Sequence, residues 1–199
     1  MMRLKTFTRW ARLSTIAGAL LLLIPVNFYA VASTAPPLAA AQASLGINGF
    51  FSADKAQRGR TLQAAVVVDI PGGYHVNANK PLGKYAIPTV LKIEAPGGVR
   101  ISPISYPRAS VRRFSFSNEQ LAVYEGRAVM RFNITIPANF DSGVTELRAR
   151  LKYQSCTEDT CFQPVTREIT MPIAVVGAGD PVKRINGQIF GGGSRRRKG

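Results

Sequence analysis

Apolar and polar residues alternate along several short segments, and this period of two is the feature that most constrains the fold. Every second position from Ala128 to Ile136 is apolar, with Arg131, Asn133 and Thr135 between them. Such alternation is typical of a β-strand that has one face in the core and the other in solvent. The same period recurs in three further segments, residues 61–70, 147–153 and 165–175.

Proline and glycine turns separate these segments, as in Pro71-Gly72-Gly73 and Pro96-Gly97-Gly98. Additional strands are expected at about residues 88–94 and 99–106. Neither an internal repeat nor a long helical pattern stands out. Six or seven short strands joined by turn-rich connections predict an all-β fold, specifically an immunoglobulin-like antiparallel β-sandwich.

The N-terminal 32 residues have the pattern of an export signal. Four basic residues precede an uncharged apolar run at residues 13–32, and small-residue cleavage sites follow at 30–32 and 39–41. A run of about twenty apolar residues is also long enough to remain as an uncleaved anchor. We therefore predict a periplasmic or otherwise exported domain, either soluble after cleavage or anchored at its N-terminus.

Composition divides the chain into four parts. A signal peptide or signal anchor (1–32) is followed by an Ala/Pro-rich spacer (33–44), the predicted domain (45–176) and a basic tail predicted to be disordered (177–199). The formal net charge is +15, but the signal and the Arg/Lys run at 195–198 account for much of it. An exported chain with no nucleic-acid motif argues against nucleic-acid binding. Contact with an anionic membrane surface is the alternative use of the tail.

Cys156 and Cys161 are the only cysteines, and His75 is the only histidine. Structural zinc sites collect four such ligands, so neither a metal nor another cofactor is predicted. Strand patterns on both sides place Cys156-Thr-Glu-Asp-Thr-Cys161 in a hairpin loop, with both thiols near solvent at the end of a sheet. In an oxidising compartment the pair can persist as a disulfide.

Two uses of this pair stay open on these observations. Closing so short a loop contributes only about 2 kcal/mol, which is a modest reason for a purely structural clip. Glu158 and Asp159 between the cysteines disfavour a strongly activated thiolate, which argues for the clip or for activation by a partner. The alternatives are thus a redox-active pair and a non-catalytic binding module with a structural hairpin disulfide.

Two motifs resemble the N-terminal periplasmic domain of the thiol:disulfide interchange protein DsbD. The first is Tyr-Gln-Ser-Cys at 153–156 followed by Cys-Phe-Gln-Pro at 161–164. The second is Gly-Tyr-His-Val-Asn-Ala-Asn-Lys-Pro at 73–81 followed by Ile-Pro-Thr at 87–89. The resemblance covers roughly residues 49–176. It implies an immunoglobulin-like fold and a reversible disulfide that takes electrons from a membrane-embedded or thioredoxin-like protein. The electrons would pass to exported disulfide-containing proteins, including disulfide isomerases and the cytochrome c maturation route.

The resemblance also implies roles for individual residues. Cys161 matches the cysteine that forms the mixed disulfide, and Cys156 matches the one that resolves it. A loop that shields the pair is expected within residues 114–120, with Phe114 or Phe116 as the covering aromatic.

Four further residues are candidates for neighbours of the pair. His75 and Asn77 fall where family residues approach the active site. His75 is either a proton acceptor for a thiol or a strand-end residue bonded to a loop. For Tyr153 and Phe162, a place in the core and a place beside the disulfide are both open.

The sequence departs from the family pattern in three respects. Its cysteine loop is one residue shorter than in the best-known members, and Gln163 stands where proline is common. It has neither the multi-helix membrane domain nor the thioredoxin-like domain of those members. A relay would therefore require a separate membrane electron donor.

Overall fold

The structure is a computed structural model, and it describes residues 44–191. The predicted signal, nearly all of the spacer and the basic run at 195–198 lie outside this range. Within it the chain forms twelve strands and one short helix. They are β1 (Gly46–Phe51), β2 (Lys55–Gln57), β3 (Thr61–Asp69), β4 (His75–Asn77), β5 (Val90–Glu94), β6 (Arg100–Ile101), β7 (Ser110–Arg112), β8 (Leu121–Tyr124), β9 (Arg127–Thr135), β10 (Gly143–Tyr153), β11 (Ser155–Cys156), β12 (Val165–Val176) and α1 (Gly187–Phe190).

The strands form three four-stranded sheets. The first has the order β1-β3-β9-β6 and the second the order β2-β12-β10-β5, and their inward side chains share one apolar core. The third, β11-β4-β8-β7, carries the end of the molecule that contains the cysteines. Strand pairs are antiparallel except β2 with β12. The predicted all-β, immunoglobulin-like antiparallel β-sandwich is confirmed.

Period-two alternation identifies the central strands correctly. In β9, Met130 and Ile134 are buried, whereas Arg131 and Asn133 are exposed. Met130 pairs with Val66 of β3, and Leu147 of β10 pairs with Met171 of β12. Because these pairs point into the shared core, their register places the apolar faces of both sheets opposite each other.

The predicted strand at 99–106 is much shorter in the structure. Only Arg100–Ile101 joins the sheet, followed by an isolated bridge between Ser105 and Arg131. Pro103 lies between these two contacts and has no N–H to donate to a ladder, which explains the interruption. Among residues 44–191, no helix is long and apolar enough to cross a membrane.

The predicted disordered tail is wrong for residues 177–191. Ile189 of α1 is buried against Ala65 and Val67, on the face of β3 that points away from the sandwich core. The guanidinium of Arg131 donates two hydrogen bonds to the Ile189 carbonyl, at 3.1 and 2.8 Å. Asn186 Nδ2 donates to the Phe51 carbonyl at 2.9 Å. This C-terminal segment (residues 177–191) therefore covers the outer face of the first sheet.

Candidate functional site

The two cysteines form a disulfide in the connection between β10 and β12. The S–S distance is 2.07 Å and the Cα–Cα distance is 4.0 Å. Thr157 N–H donates to the Thr160 carbonyl at 2.8 Å, and Phe162 N–H donates to the Ser155 carbonyl at 2.9 Å. These bonds close the cysteine loop (residues 156–161) into a compact turn at the end of the hairpin, where the sequence predicts it.

The two cysteines differ in exposure. Cys156 is 0% exposed, whereas Cys161 is an exposed residue. Cys156 belongs to β11, which pairs with β4 so that Cys156 lies opposite His75. The prediction that both thiols lie near solvent is therefore wrong for Cys156, which is buried within β11 of the third sheet. Of the pair, Cys161 is the residue that another protein can reach.

A cleft of about 270 Å³ opens beside Cys161. Its walls are the Tyr85 loop (residues 80–86) and the aromatic loop (residues 114–119), and Asn77 and Gln154 also line it. Phe116 lines this cleft together with Cys161. Of the two phenylalanines predicted as covers, Phe116 is thus the one placed at the cleft of the exposed cysteine.

The aromatic loop is held against both β4 and the cysteine loop. Phe114 is buried and stacks on His75, with ring centroids 3.9 Å apart, and Phe116 stacks on Phe114 at 5.5 Å. Ser115 Oγ donates to the Glu158 carbonyl at 2.8 Å and lies 3.0 Å from Asp159 Oδ1. Phe114 therefore attaches the loop to the third sheet, and Ser115 attaches it to the segment between the two cysteines.

A chain of side-chain amides connects Asn77 to the segment after Cys161. Gln154 Nε2 donates to the Phe162 carbonyl at 3.0 Å, and Asn77 Nδ2 donates to Gln154 Oε1 at 3.1 Å. Thr89 Oγ1 donates to the Asn77 carbonyl at 2.6 Å. Gln154 and Thr89 were not predicted as site residues, although Gln154 belongs to the Tyr-Gln-Ser-Cys motif and Thr89 to the Ile-Pro-Thr run.

Tyr153 and Phe162 occupy different environments. Tyr153 is buried in the sandwich core. Phe162 is half-buried directly after Cys161, and its ring stacks on Tyr74 with centroids 6.2 Å apart. Of the two predicted places, Tyr153 therefore takes the one in the core, and Phe162 takes the one beside the disulfide.

His75 is buried and its Nε2 has no hydrogen-bond partner. Burial, together with the smaller effect of the positive charge of Arg112, lowers its pKa from 6.5 to about 4. The imidazole is consequently neutral at neutral pH and a weak proton acceptor. Its principal contact is the stack with Phe114 rather than the loop hydrogen bond expected for a strand-end residue.

Protonation of His75 is expected to make the domain less stable in mild acid. Below pH 6.5 the unfolded chain protonates His75, whereas the folded domain does so only near pH 4. The unfolded state therefore binds more protons in this window, so stability falls as the pH drops from 6.5 to 4. Urea unfolding followed by circular dichroism at several pH values measures this slope.

A His75→Gln variant is the control for this pH dependence. His75 is the only histidine of the chain, so the variant is expected to lose the contribution of the imidazole to the slope. The comparison uses the slope and not the absolute stability, because the variant also loses the ring stack with Phe114. Equal slopes between pH 6.5 and 4.5 in the two proteins would contradict the assignment.

Comparison with protein families identifies the family of this chain. The family model described as the N-terminal part of the thiol:disulfide interchange protein DsbD matches residues 48–173. The chain belongs to the DsbD N-terminal family. No curated protein sequence matches it significantly.

Two solved structures are similar to this DsbD N-terminal family member. The reduced N-terminal domain of DsbD from Neisseria meningitidis is 18% identical, with 69% of this chain and 88% of that chain covered and a TM-score of 0.41. The N-terminal periplasmic domain of ScsB from Proteus mirabilis is 12% identical, with 69% and 48% covered and a TM-score of 0.44.

The DsbD N-terminal match contains the whole candidate site. The disulfide, the cleft and the stacked rings all lie between residues 74 and 162, within the matched range. The C-terminal segment lies after the matched range.

No group of three or more His, Cys, Asp and Glu side chains within residues 44–191 is arranged to hold a metal ion.

Proposed function

We propose that this domain exchanges its Cys156–Cys161 disulfide with cysteines of partner proteins and so relays reducing equivalents outside the cytoplasm. The observation that best supports this function is the asymmetry of the pair. Cys161 is exposed in a cleft, whereas Cys156 is buried behind it. Thiol–disulfide exchange requires one accessible sulfur for attack and one that can leave and later return. Membership of the DsbD N-terminal family supports the same activity.

Reduction of the domain would proceed in two exchange steps. A thiolate of a dithiol donor attacks Cys161 Sγ, the Cys156–Cys161 bond breaks, and Cys156 leaves as a thiolate that takes up a proton. The second donor thiol, as a thiolate, then attacks the donor sulfur of this mixed disulfide and releases Cys161 as a thiolate. The donor ends as a disulfide, and the domain has gained two electrons.

Transfer to an oxidised partner follows the same path in reverse. The Cys161 thiolate attacks the partner disulfide and releases one partner thiolate. Cys156, after losing its proton, attacks Cys161 Sγ and releases the second partner thiolate, which restores the Cys156–Cys161 disulfide. In these roles Cys161 forms the mixed disulfide and Cys156 resolves it. The main chains of Cys156 and Cys161 form an isolated antiparallel bridge, and this bridge places the resolving sulfur beside Cys161.

The aromatic loop is suited to limiting access to Cys161. Ser115 ties this loop to Glu158 and Asp159, and the stack of Phe114 on His75 fixes its other side. Phe116 is thereby held at the cleft beside the exposed cysteine. In this proposal the loop shields the sulfur from small thiols and yields to a protein that displaces it.

The proposed partners follow from this relay. A membrane-embedded or thioredoxin-like protein supplies electrons, and exported disulfide-containing proteins receive them, as in disulfide isomerisation or cytochrome c maturation. The proposed location is the periplasm, with the domain either released from its signal or anchored by it. We also propose that the basic run at 195–198 contacts anionic lipid at the membrane surface.

The reduction potential and the exchange rate test this function together. The purified domain is equilibrated in dithiothreitol redox buffers, and free thiols are counted by alkylation and mass spectrometry. We expect a potential above about −300 mV and reduction by reduced thioredoxin within the assay time. A potential well below about −300 mV with no exchange would identify a structural clip in a non-catalytic binding module.

A further inference from the structure

A second cleft, of about 380 Å³, lies away from the cysteines. Residues of β2 and of the start of β3 line it together with residues between 182 and 191 of the C-terminal segment. Thr61 at the start of β3 belongs to this lining, whereas Asp69 at the end of the strand lies six residues before His75 of the third sheet. Because a strand rises about 3.3 Å per residue, the two ends of β3 are about 25 Å apart. The cleft is therefore separate from the site around the disulfide.

The lining of this cleft, called the basic cleft below, is cationic. Lys55, Arg60 and Arg184 contribute to it, and no aspartate or glutamate of the described residues does. None of the three cations forms an ion pair with a residue in the range 44–191. Three uncompensated positive charges around one cavity favour an anion as its ligand.

Two carboxylates close to the basic cleft along the chain have other partners. Asp54 Oδ1 accepts a hydrogen bond from the Lys183 N–H at 2.8 Å, and Asp180 Oδ2 accepts one from the Gly177 N–H at 2.7 Å. The Asp54 N–H also donates to the Lys183 carbonyl at 3.0 Å. These bonds attach the C-terminal segment to the rest of the fold, so the cleft is formed before any ligand binds.

The basic cleft also has an apolar part. Val182 and Ile185 line it and are each 38% exposed. A free inorganic anion would use the cations and leave these two side chains in water. Binding to a membrane interface gains both from buried apolar area and from attraction to anionic lipid. The combination therefore favours an amphiphilic anion over a small inorganic one.

The basic run of the chain has the wrong charge to fill this cleft itself. It occupies residues 195–198 and begins four residues after Gly191, which lines the cleft. A span of four residues reaches at most about 14 Å. The run thus adds positive charge close to the cleft, and one extended anionic surface can contact both.

From these observations we infer that the basic cleft binds the phosphate of an anionic phospholipid at a membrane surface. Lys55, Arg60 and Arg184 surround the phosphate, and Val182 and Ile185 contact the apolar part of the lipid. This inference goes beyond the proposed disulfide exchange, because it requires neither cysteine. It places a lipid contact in the folded domain in addition to the one proposed for the basic run.

Co-sedimentation with vesicles tests the site. The protein is used without residues 1–32, so that the predicted anchor cannot insert, and it keeps all of residues 44–191. Vesicles consist of phosphatidylcholine alone or of phosphatidylcholine and phosphatidylglycerol in equal parts, and we expect binding only to the second kind. Arg60→Gln/Arg184→Gln is expected to weaken this binding by about thirtyfold, since each cation at an anionic surface contributes about fivefold.

Arg148→Gln/Arg167→Gln is the matched control. It removes the same charge from two exposed residues of the second sheet that do not line the cleft. We expect a loss below about threefold, because charges more than about 10 Å from the lipid are screened. Equal losses in the two double variants would mean that net charge alone attracts the protein, and would overturn the cleft as a site.

Soluble ligands distinguish lipid from other anions. Isothermal titration calorimetry is expected to show much weaker binding of glycerol phosphate than of the phosphatidylglycerol vesicles. Equally tight binding of glycerol phosphate would identify a free phosphate compound as the ligand and overturn the membrane source. A glutamate-rich peptide whose binding requires Arg60 and Arg184, while vesicle binding does not, would identify an acidic protein segment instead.

Deletion of residues 195–198 separates the basic cleft from the basic run. We expect the deletion to weaken vesicle binding while the difference between Arg60→Gln/Arg184→Gln and its control persists. Loss of that difference would assign the lipid contact to the run alone and overturn the cleft. Thioredoxin exchange is measured on the same samples, and a protein that binds vesicles but exchanges no disulfide would contradict only the proposed function.

Discussion

A Cys156→Ser variant is expected to trap partner proteins as mixed disulfides through Cys161, whereas Cys161→Ser is expected to trap none. In Cys156→Ser the exposed cysteine can still attack a partner disulfide, but no second sulfur remains to release the product. In Cys161→Ser the remaining thiol, that of Cys156, is buried within β11 of the third sheet and cannot reach a partner. Both variants should lose turnover entirely. Non-reducing electrophoresis of exported proteins, followed by mass spectrometry, measures the trapped species.

The double variant Cys156→Ser/Cys161→Ser is the control for contacts that do not involve a disulfide. Loss of the short disulfide loop costs about 2 kcal/mol, so all three variants should retain the circular dichroism spectrum of the folded domain. Equal trapping by the two single variants would contradict the assigned order of the cysteines. Recovery of no mixed disulfide from Cys156→Ser would contradict exchange as a function.

The sequence is informative about this site where the determinants are local. One segment of alternating apolar and polar residues before the cysteines and one after them predict the hairpin, and β10 and β12 form it. Resemblance to the family places the covering aromatic within residues 114–120, and the structure sets Phe116 at the cleft. These features depend on residue types and spacings that are visible along the chain.

Other properties of the site depend on contacts between distant segments. Cys156 is buried because β11 pairs with β4, some 80 residues earlier in the chain. The hydrogen bond from Asn77 to Gln154 depends on the orientation of the Gln154 amide, which is fixed in turn by the Phe162 carbonyl. A local pattern has no information about pairings and amide orientations of this kind, so the asymmetry of the disulfide could not be predicted from it.

The outer face of β3 shows the same limit in the fold. Alternation assigns Leu62, Ala64, Val66, Val68 and Ile70 to one buried face, which leaves Ala65 and Val67 for solvent. Ala65 and Val67 are also fully buried. Their cover comes from Ile189, in a stretch of glycine, charged and polar residues that resembles a disordered tail by composition. Packing of Ile189 and Phe190, together with the hydrogen bonds made by Arg131, Asn186 and Ile185, holds this segment against the first sheet.

Replacing Ile189 with alanine is therefore expected to destabilise the domain by about 2 kcal/mol, the low end for a buried isoleucine. Ile189 is 5% exposed and belongs to a small cluster with Ala65 and Val67. Truncation removes the side chain that covers these two residues, and the hydrogen bonds from Arg131 to its carbonyl lose the packing that positions them. Urea unfolding followed by far-UV circular dichroism measures the change.

Ile185→Ala is the matched control, because Ile185 lies four residues earlier in the same segment but is 38% exposed. Its main-chain N–H donates to the Ser52 carbonyl, and this bond is kept in the variant. We expect a loss below about 1 kcal/mol, as for other partly exposed sites. Equal effects of the two substitutions would mean that the segment is held by its main-chain bonds rather than by Ile189. A lower stability in Ile189→Ala with unchanged thioredoxin exchange would show that the C-terminal segment stabilises the sandwich independently of the redox site.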